Sequence, residues 1–423
     1  MPPIAALRGT RDILPPESSA WQWLLETHRR CAEAHGYRYA DTPVIEATEL
    51  FERGVGTGTD VVEKEMFSFV DRGGRQVTLR PEGTAGVVRA VLAGRLDQEA
   101  RPARLHYAGP FFRNERPQTG VQRQFTQVGV ECIGERAPQL DAEVIELAWR
   151  FFEALRLPGV HVQVNSLGDT EDRARYRTAL VAYYEPLRDQ LCDDCRRRLY
   201  TNPLRLLDCK RDRRFVDAAP LIGDYLSKQS GDHFDAVQAA LRRAAVPATV
   251  NPRLVRGLDY YTDTAFEFWH EALEGSQNAL GGGGRYDGLA EVLGFPAAPG
   301  IGYALGVERI LIAARAAGAV PDDPGVCDAV VAGLDVESSE RAAELARGLR
   351  EAGLRAVVDW SERRLDRRLR SAAKLGARAL LLIGPDELRD GTVVVRNLAT
   401  REQQRVPAES AARSVREMLG AQR

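Results

Sequence analysis

The chain has 423 residues and 46.7 kDa, enough for two or three domains with separate cores. It is 44% hydrophobic and 28% charged, the composition of an ordinary globular protein, and its six Cys are too few for a disulfide scaffold. The 58 Lys and Arg nearly balance 60 Asp and Glu, a net charge of −2, which excludes a uniformly basic coat; a polyanion site must come from local clustering.

MPPIAALRGTRD has no basic stretch leading into an apolar run, so no signal peptide is expected. No later segment approaches about 18 consecutive apolar residues, so no membrane association is expected, and the sparse Cys fit a reducing cytoplasm. Ser19 and Gln22 have capping-box spacing, and Trp21, Leu24, Leu25, His28 and Cys31 follow at helical spacing; Gly36 ends the predicted helix. YRYADTPVIE predicts a strand with a proline-marked edge. Residues 103–115 and 124–134 predict a long hairpin, followed by a helix with Val144, Leu147, Ala148, Phe151, Phe152 and Leu155 on one face.

From about 169 to 250 the sequence is Arg/Asp-rich and helical in character, with CDDC and NPLRLLDCK inside it. Strand-like sequence resumes at LVRGLDYYTDTAFEFW, which is the pattern of a helical insertion in a sheet domain. GVERILIAARAAG predicts a helix closed by Gly318, and PDDPG (321–325) a linker. The expected division is therefore residues 1–320, interrupted at 169–250, and residues 327–423. In the second part DAVVAGLD, LRAVVD and RALLLIG alternate with two helical segments, predicting an α/β domain with a largely parallel sheet.

GxxxxGK[ST], HExxH and EF-hand loops are absent, which excludes a P-loop and the common metal motifs. Cys192 and Cys195 form CxxC with Cys209 downstream; structural zinc needs four ligands, and without a fourth no zinc is expected. The hairpin GPFFRNERPQTGVQRQFTQVGVECIG is more informative. Strand alternation puts Gln127, Gly129 and Glu131 on one face and Val128, Val130 and Cys132 on the other, a polar floor with a gap at its centre. Arg113 and Glu115 stand on the partner strand, and arginine's planar fork suits a phosphate. LRPEGT supplies Glu82, Gly83 and Thr84; RGLDYYTDTAFEF supplies Arg256, Tyr260 and Tyr261. GGGGRYDGL lacks Cβ atoms, so a flat ring can approach its backbone, and it carries Tyr286. GIGYALGVERIL runs from strand to helix, with Arg309 near a helix N-terminus that favours anions.

FRNE with its flanks resembles motif 2 of the class II aminoacyl-tRNA synthetases, GIGYALGVERI resembles motif 3, and Gly36 through Pro43 to Gly54 resembles the weaker motif 1. RGLDYYTDTAFEF and GGGGRYDGL resemble the two signatures of the histidyl-tRNA synthetase family, and the resemblance covers essentially the whole chain. It implies an α+β fold: an antiparallel catalytic sheet flanked by helices, a helical insertion, and a C-terminal α/β anticodon-binding domain. It also implies ATP and L-histidine as substrates, magnesium with the ATP, tRNA(His) as partner, and a homodimer built through motif 1. Arg113 would hold the α-phosphate and Arg309 the γ-phosphate, with Glu115 and the loop 116–123 near ATP and the tRNA acceptor end. Glu82, Thr84 and Gln127 would hold the amino group, Gly83 lying between the first two. Glu131 and Tyr260 would hold the imidazole, Tyr261 and Tyr286 would line the pocket, and Arg256 would bridge carboxylate and α-phosphate. Physical chemistry agrees: a carboxylate attacking a phosphate joins two anions, which needs fixed cations.

The rival is a synthetase-like regulatory subunit of ATP phosphoribosyltransferase. Such paralogues lack the C-terminal domain and lose parts of the histidine signatures; here residues 327–423 and both signatures are present. In the C-terminal domain, Arg363, Arg364, Arg367, Arg368, Arg370 and Lys374 face only Glu362 and Asp366, an expected anticodon-side surface.

Overall fold

The computed structural model describes residues 3–273, 278–361 and 363–420, which divide into two units at the Pro321–Asp322 junction. In the first unit the strands are β1 (Arg38–Tyr39), β2 (Ile45–Ala47), β3 (Phe67–Val70), β4 (Gln76–Leu79), β5 (Ala103–Phe112), β6 (Gln124–Ile133), β7 (Val160–Ser166), β8 (Ala248–Val250), β9 (Thr262–His270), β10 (Ala279–Arg285) and β11 (Gly300–Gly306). Eight of them form one sheet in the order β1-β5-β6-β11-β10-β9-β7-β8. Its centre is antiparallel, and only the edge pairs β1–β5 and β7–β8 are parallel.

Period-two alternation gives this sheet two different faces. Val128, Val130, Phe266, Phe268, Ile301 and Tyr303 point to one side, where helices Glu17–Ala34, Pro138–Ala154, Lys228–Arg243 and Val307–Ala316 bury Trp21, Leu24, Phe151, Phe152, Leu241 and Leu311 against them. Each fully buried Phe or Leu contributes about 1.5–3 kcal/mol, so this face fixes the sheet. The other face is covered toward β5, where helix Thr84–Ala93 packs Val87, Val88 and Val91 on Leu105, Tyr107 and Ile133, and toward β9, where Ala265 packs with Tyr176, Leu180 and Leu199. What remains uncovered is the floor of a cleft.

Several elements depart from the sequence reading. The first helix begins at Glu17, after Pro16, so Ser19 lies inside it rather than capping it. The turn is already wound upstream, since Ser18 N–H donates to Leu14 O at 3.1 Å. YRYADTPVIE is not one strand: β1 joins the large sheet and β2 a separate sheet of order β2-β4-β3, with Pro43 in the break. Within 169–250, helices Thr170–Tyr184 and Asp193–Thr201 form their own cluster around Tyr176, Leu180, Tyr184, Cys195 and Leu199. The final stretch is different: Phe234, Val237 and Leu241 enter the main core, and β8 extends the main sheet beside β7.

The second unit holds β12 (Ala329–Gly333), β13 (Ala356–Val358), β14 (Ala379–Ile383), β15 (Thr392–Asn397) and β16 (Gln403–Pro407), in the order β13-β12-β14-β15-β16. The first three in that order are parallel, as predicted; β15 and β16 add an antiparallel hairpin that the reading did not resolve. Helices Val336–Glu351 and Ala411–Gly420 cover one face. Leu369 and Ala372 of helix Leu365–Lys374 pack on Val330 and Ala332 of the other. Of the basic residues around that helix, Arg368 is buried, donating to Gly333 O at 2.7 Å, Ser361 O at 2.5 Å and Arg363 O at 2.9 Å. It is a structural staple and leaves the proposed surface; Arg363, Arg364, Arg367, Arg370 and Lys374 are exposed, while Glu362 lies outside the described residues.

Candidate active site

Strand register builds the floor. One row across the sheet reads Tyr107, Gly129, Ala304, Gly282, Glu267, Gln163, and a neighbouring row reads Leu105, Glu131, Gly302, Gly284, Ala265, Asn165. Small residues in the middle, with larger ones at both sides, make a trough. The resulting cleft spans about 930 Å³, the open solvent at its mouth included.

Most of the predicted residues line it: Glu82, Thr84, Arg113, Glu115, Gln127, Arg256, Tyr260, Tyr261 and Arg309. Arg113, one residue past β5, donates from Nε to Pro81 O at 3.0 Å and lies over the Phe125 ring at 5.5 Å. Arg309 sits in the first turn of helix Val307–Ala316 and is tied to Gly120 O at 3.2 Å and Ala279 O at 2.9 Å. Arg256 precedes β9 and pairs with Glu267 at 2.5 Å, while its Nε is buried without a hydrogen-bond partner. A Cβ on Gly282 would stand 3.0 Å from Arg256 Nη1, so that glycine opens the space the guanidinium occupies. Three fixed cations therefore reach one cleft from three separate segments.

The other end holds carboxylates and tyrosines. Glu82 accepts from the N–H groups of Thr84 (2.8 Å) and Ala85 (2.9 Å), closing the start of helix Thr84–Ala93, and Tyr260 donates to it at 3.3 Å. Burial raises its carboxyl above the usual range, against the pull of those two N–H groups. Gln127 Oε1 is a buried acceptor with no partner, a group suited to an ammonium. Tyr260 and Tyr261 rings lie 4.6 Å apart.

Glu131, Tyr286 and Gly83 sit behind the wall rather than on it. Glu131 is fully buried; Thr84 donates to it at 2.8 Å, Tyr286 at 2.5 Å and Tyr107 at 3.4 Å. Burial pushes its pKa up to about 8, the three hydroxyls only partly offsetting it. The gap at Gly129 is not ligand space: a Cβ there would stand 2.5 Å from the Tyr107 hydroxyl, and one on Gly83 would meet the same ring at 2.7 Å. Tyr107 thus fills the floor where the sequence suggested a vacancy. Sequence reasoning also passed over Glu267, Glu308 and Phe125. Glu267 was findable, being the one charged residue between Phe266 and Phe268, whose side chains enter the core. Glu308, which accepts from Thr126 N–H at 2.9 Å, carried no such signal.

A family model described as Histidyl-tRNA synthetase matches residues 9–171 and 193–310, and one described as Anticodon binding domain matches 328–418. The chain belongs to the histidyl-tRNA synthetase family. Among curated relatives, a histidine–tRNA ligase of Desulforudis audaxviator is 48% identical over 408 residues, covering 95% of this chain and 96% of that one. One from Anoxybacillus flavithermus is 45% identical over 404 residues, 94% and 95% of the two chains. The apo histidyl-tRNA synthetase of S. aureus superposes with a TM-score of 0.83 at 35% identity, over 97% of this chain and 99% of that one. The family's antiparallel catalytic sheet and separate anticodon-binding domain are the two units described above.

Proposed function

We infer that the chain is a histidine–tRNA ligase, which joins L-histidine and ATP into histidyl-adenylate with release of pyrophosphate. It then transfers the histidyl group to the 3′ end of tRNA(His), releasing AMP. The observation that carries this reading is Arg113, Arg256 and Arg309 meeting in a cleft whose far end offers the buried Glu82 carboxylate, two tyrosines and the unpartnered Gln127 acceptor.

In the first step a carboxylate oxygen bonds to the α-phosphorus as the bond to the β-phosphate oxygen breaks. Arg113 and Arg256 hold the α-phosphate and the incoming carboxylate, and Arg309 the γ-phosphate. Arginine keeps its charge at working pH, so these cations are preorganised where negative charge gathers. Glu82, Thr84 and Gln127 receive the ammonium. Tyr260 and Glu131 read the imidazole, Glu131 from the base of the pocket through the cluster it forms with Thr84 and Tyr286; Tyr261 walls the ring. Magnesium would accompany the nucleotide, where it would neutralise phosphate charge, and Glu115, which lines the cleft, would offer it an oxygen.

The second unit is the reading head for tRNA(His), through exposed Arg363, Arg364 and Arg367. Exposed Ile45, Phe69 and Val70 on the β2-β4-β3 sheet, beside motif 1, support a homodimer. No described helix is long and apolar enough to cross a membrane, and none of the six cysteines is in a disulfide, which suits work in the cytoplasm.

The deciding experiment is ATP–pyrophosphate exchange with each of the twenty amino acids, alongside charging of tRNA(His). Exchange with histidine alone is expected. Exchange with none, while tRNA stays uncharged, would instead favour the regulatory subunit.

A further inference from the structure

The helical module between β7 and β8 brings together four side chains that adenylate chemistry does not use. The ligand atoms of Cys192, Cys195, Cys209 and Asp212 all lie within 4.8 Å of one another. Cys192 Sγ is 3.7 Å from Cys209 Sγ, and Cys209 Sγ is 3.7 Å from Asp212 Oδ2. Cys195 is fully buried and Asp212 only 5% exposed. We propose that these four residues form a structural zinc site with a three-thiolate, one-carboxylate donor set.

Spacing supports it first. Cys192-x2-Cys195 and Cys209-x2-Asp212 are two i, i+3 pairs, the ligand spacing of structural zinc sites. Cys192 stands at the N-cap of helix Asp193–Thr201 with Cys195 in its first turn; Cys209 ends the turn Pro203–Asp208, and Asp212 opens the next. The fourth ligand that the sequence reading lacked is thus the aspartate three residues past the third cysteine.

Geometry supports it second. A tetrahedron with zinc–sulfur arms of 2.3 Å has edges of about 3.8 Å, which the Cys192–Cys209 separation matches. A disulfide between those two would leave Cys195 unpaired beside them. Apolar packing does not explain the aspartate, because a buried carboxylate among thiols gains little from weak S–H donors. Cys192 N–H donates to Asp212 Oδ2 at 3.0 Å, aiming the carboxylate into the cluster. Thiolates select a soft cation over magnesium or calcium.

The site would also steady the cleft. Between its two ligand pairs lie Arg198, which pairs with Asp60 at 2.6 Å, and Asn202, which donates to Asp259 Oδ1 at 2.7 Å. Asp259 belongs to the segment that carries Arg256 and Tyr260.

The test is metal content. The full chain, purified under reductant without chelator, equilibrated with zinc and desalted, should hold one zinc per chain by mass spectrometry. A thiol-directed mercurial should release it in step with thiol modification, and cobalt should replace it with the visible bands of a tetrahedral thiolate site. Cys195→Ser and Cys209→Ser should lose the stoichiometric metal. Asp212→Ala should weaken it by more than the about 10–100-fold that loss of an outer partner costs. Only trace zinc in the folded wild-type chain would overturn the proposal, whether or not the variants fold. So would zinc retained undiminished in both cysteine variants, or a Cys192–Cys209 disulfide in protein never exposed to oxidant.

Discussion

Two carboxylates are buried on opposite faces of the large sheet, and the protein treats them differently. On the helix-covered face Asp141 meets the Arg285 guanidinium, accepts from Thr264 at 2.6 Å and pairs with His233 at 2.8 Å. Burial would raise its pKa, yet Arg285 and His233 hold it below the usual range. On the cleft face Glu131 is equally buried but meets only hydroxyls, and its pKa rises. Compensation is complete where the group holds the fold and incomplete where a bound ligand can finish it. A pocket left short of partners in this way prefers a polar ring and rejects apolar analogues of histidine.

The largest effect expected from this contrast is on stability. Asp141→Ala takes the buried partner from Arg285, leaving it Asp287, and strands Thr264 and His233; it should cost about 3 kcal/mol, read from urea unfolding. A cost as small as that of an exposed pair would erase the difference between the faces. Next comes Arg256→Lys, which keeps charge and loses the fork. Adenylate formation should slow by about 10² or more in pyrophosphate exchange, with little change in the unfolding midpoint. A near-normal rate would reduce Arg256 to its ion pair with Glu267.

Glu131→Gln keeps shape and replaces a carboxyl that can ionise against a bound ring with an amide that cannot. The histidine KM should rise by about tenfold or more, the worth of one hydrogen bond to a charged group, while the ATP KM stays nearly constant. If both rise together, Glu131 does not read the ring. The smallest signal is in pH. Because Glu131 titrates near 8 when folded and near 4.5 when unfolded, the folded state binds more protons between those values. Stability of the ligand-free protein should therefore fall as pH rises from about 5 to 8, and the Gln variant should show a shallower fall.

Much of this arrangement was legible in the sequence. Period-two alternation placed Gln127 and Glu131 on one face, and the signature segments named nine residues that line the cleft. What alternation could not convey was depth: Glu131 is on the predicted face yet lies behind Thr84 and Tyr107, and Tyr286, which the resemblance put at the pocket wall, lies beside it, because both depths depend on a helix packed from elsewhere in the chain. Local spacing misled at Ser19, where upstream backbone bonds had already started the helix. It also hid Asp212, a residue type too common to stand out until folding sets it beside three thiols.

Strand β10 shows what the Asp141–Arg285 pair is for. Four consecutive glycines give a strand almost no side chains with which to choose its alignment, and such strands slide easily. Arg285 ends that strand, and its grip on Asp141 acts as an index mark against which the remaining residues are counted. A slip of one position would turn Gly282 away from Arg256 and exchange the two sides of the trough. The alignment of the adenylation floor is thus encoded outside the cleft, at a charge pair no substrate touches.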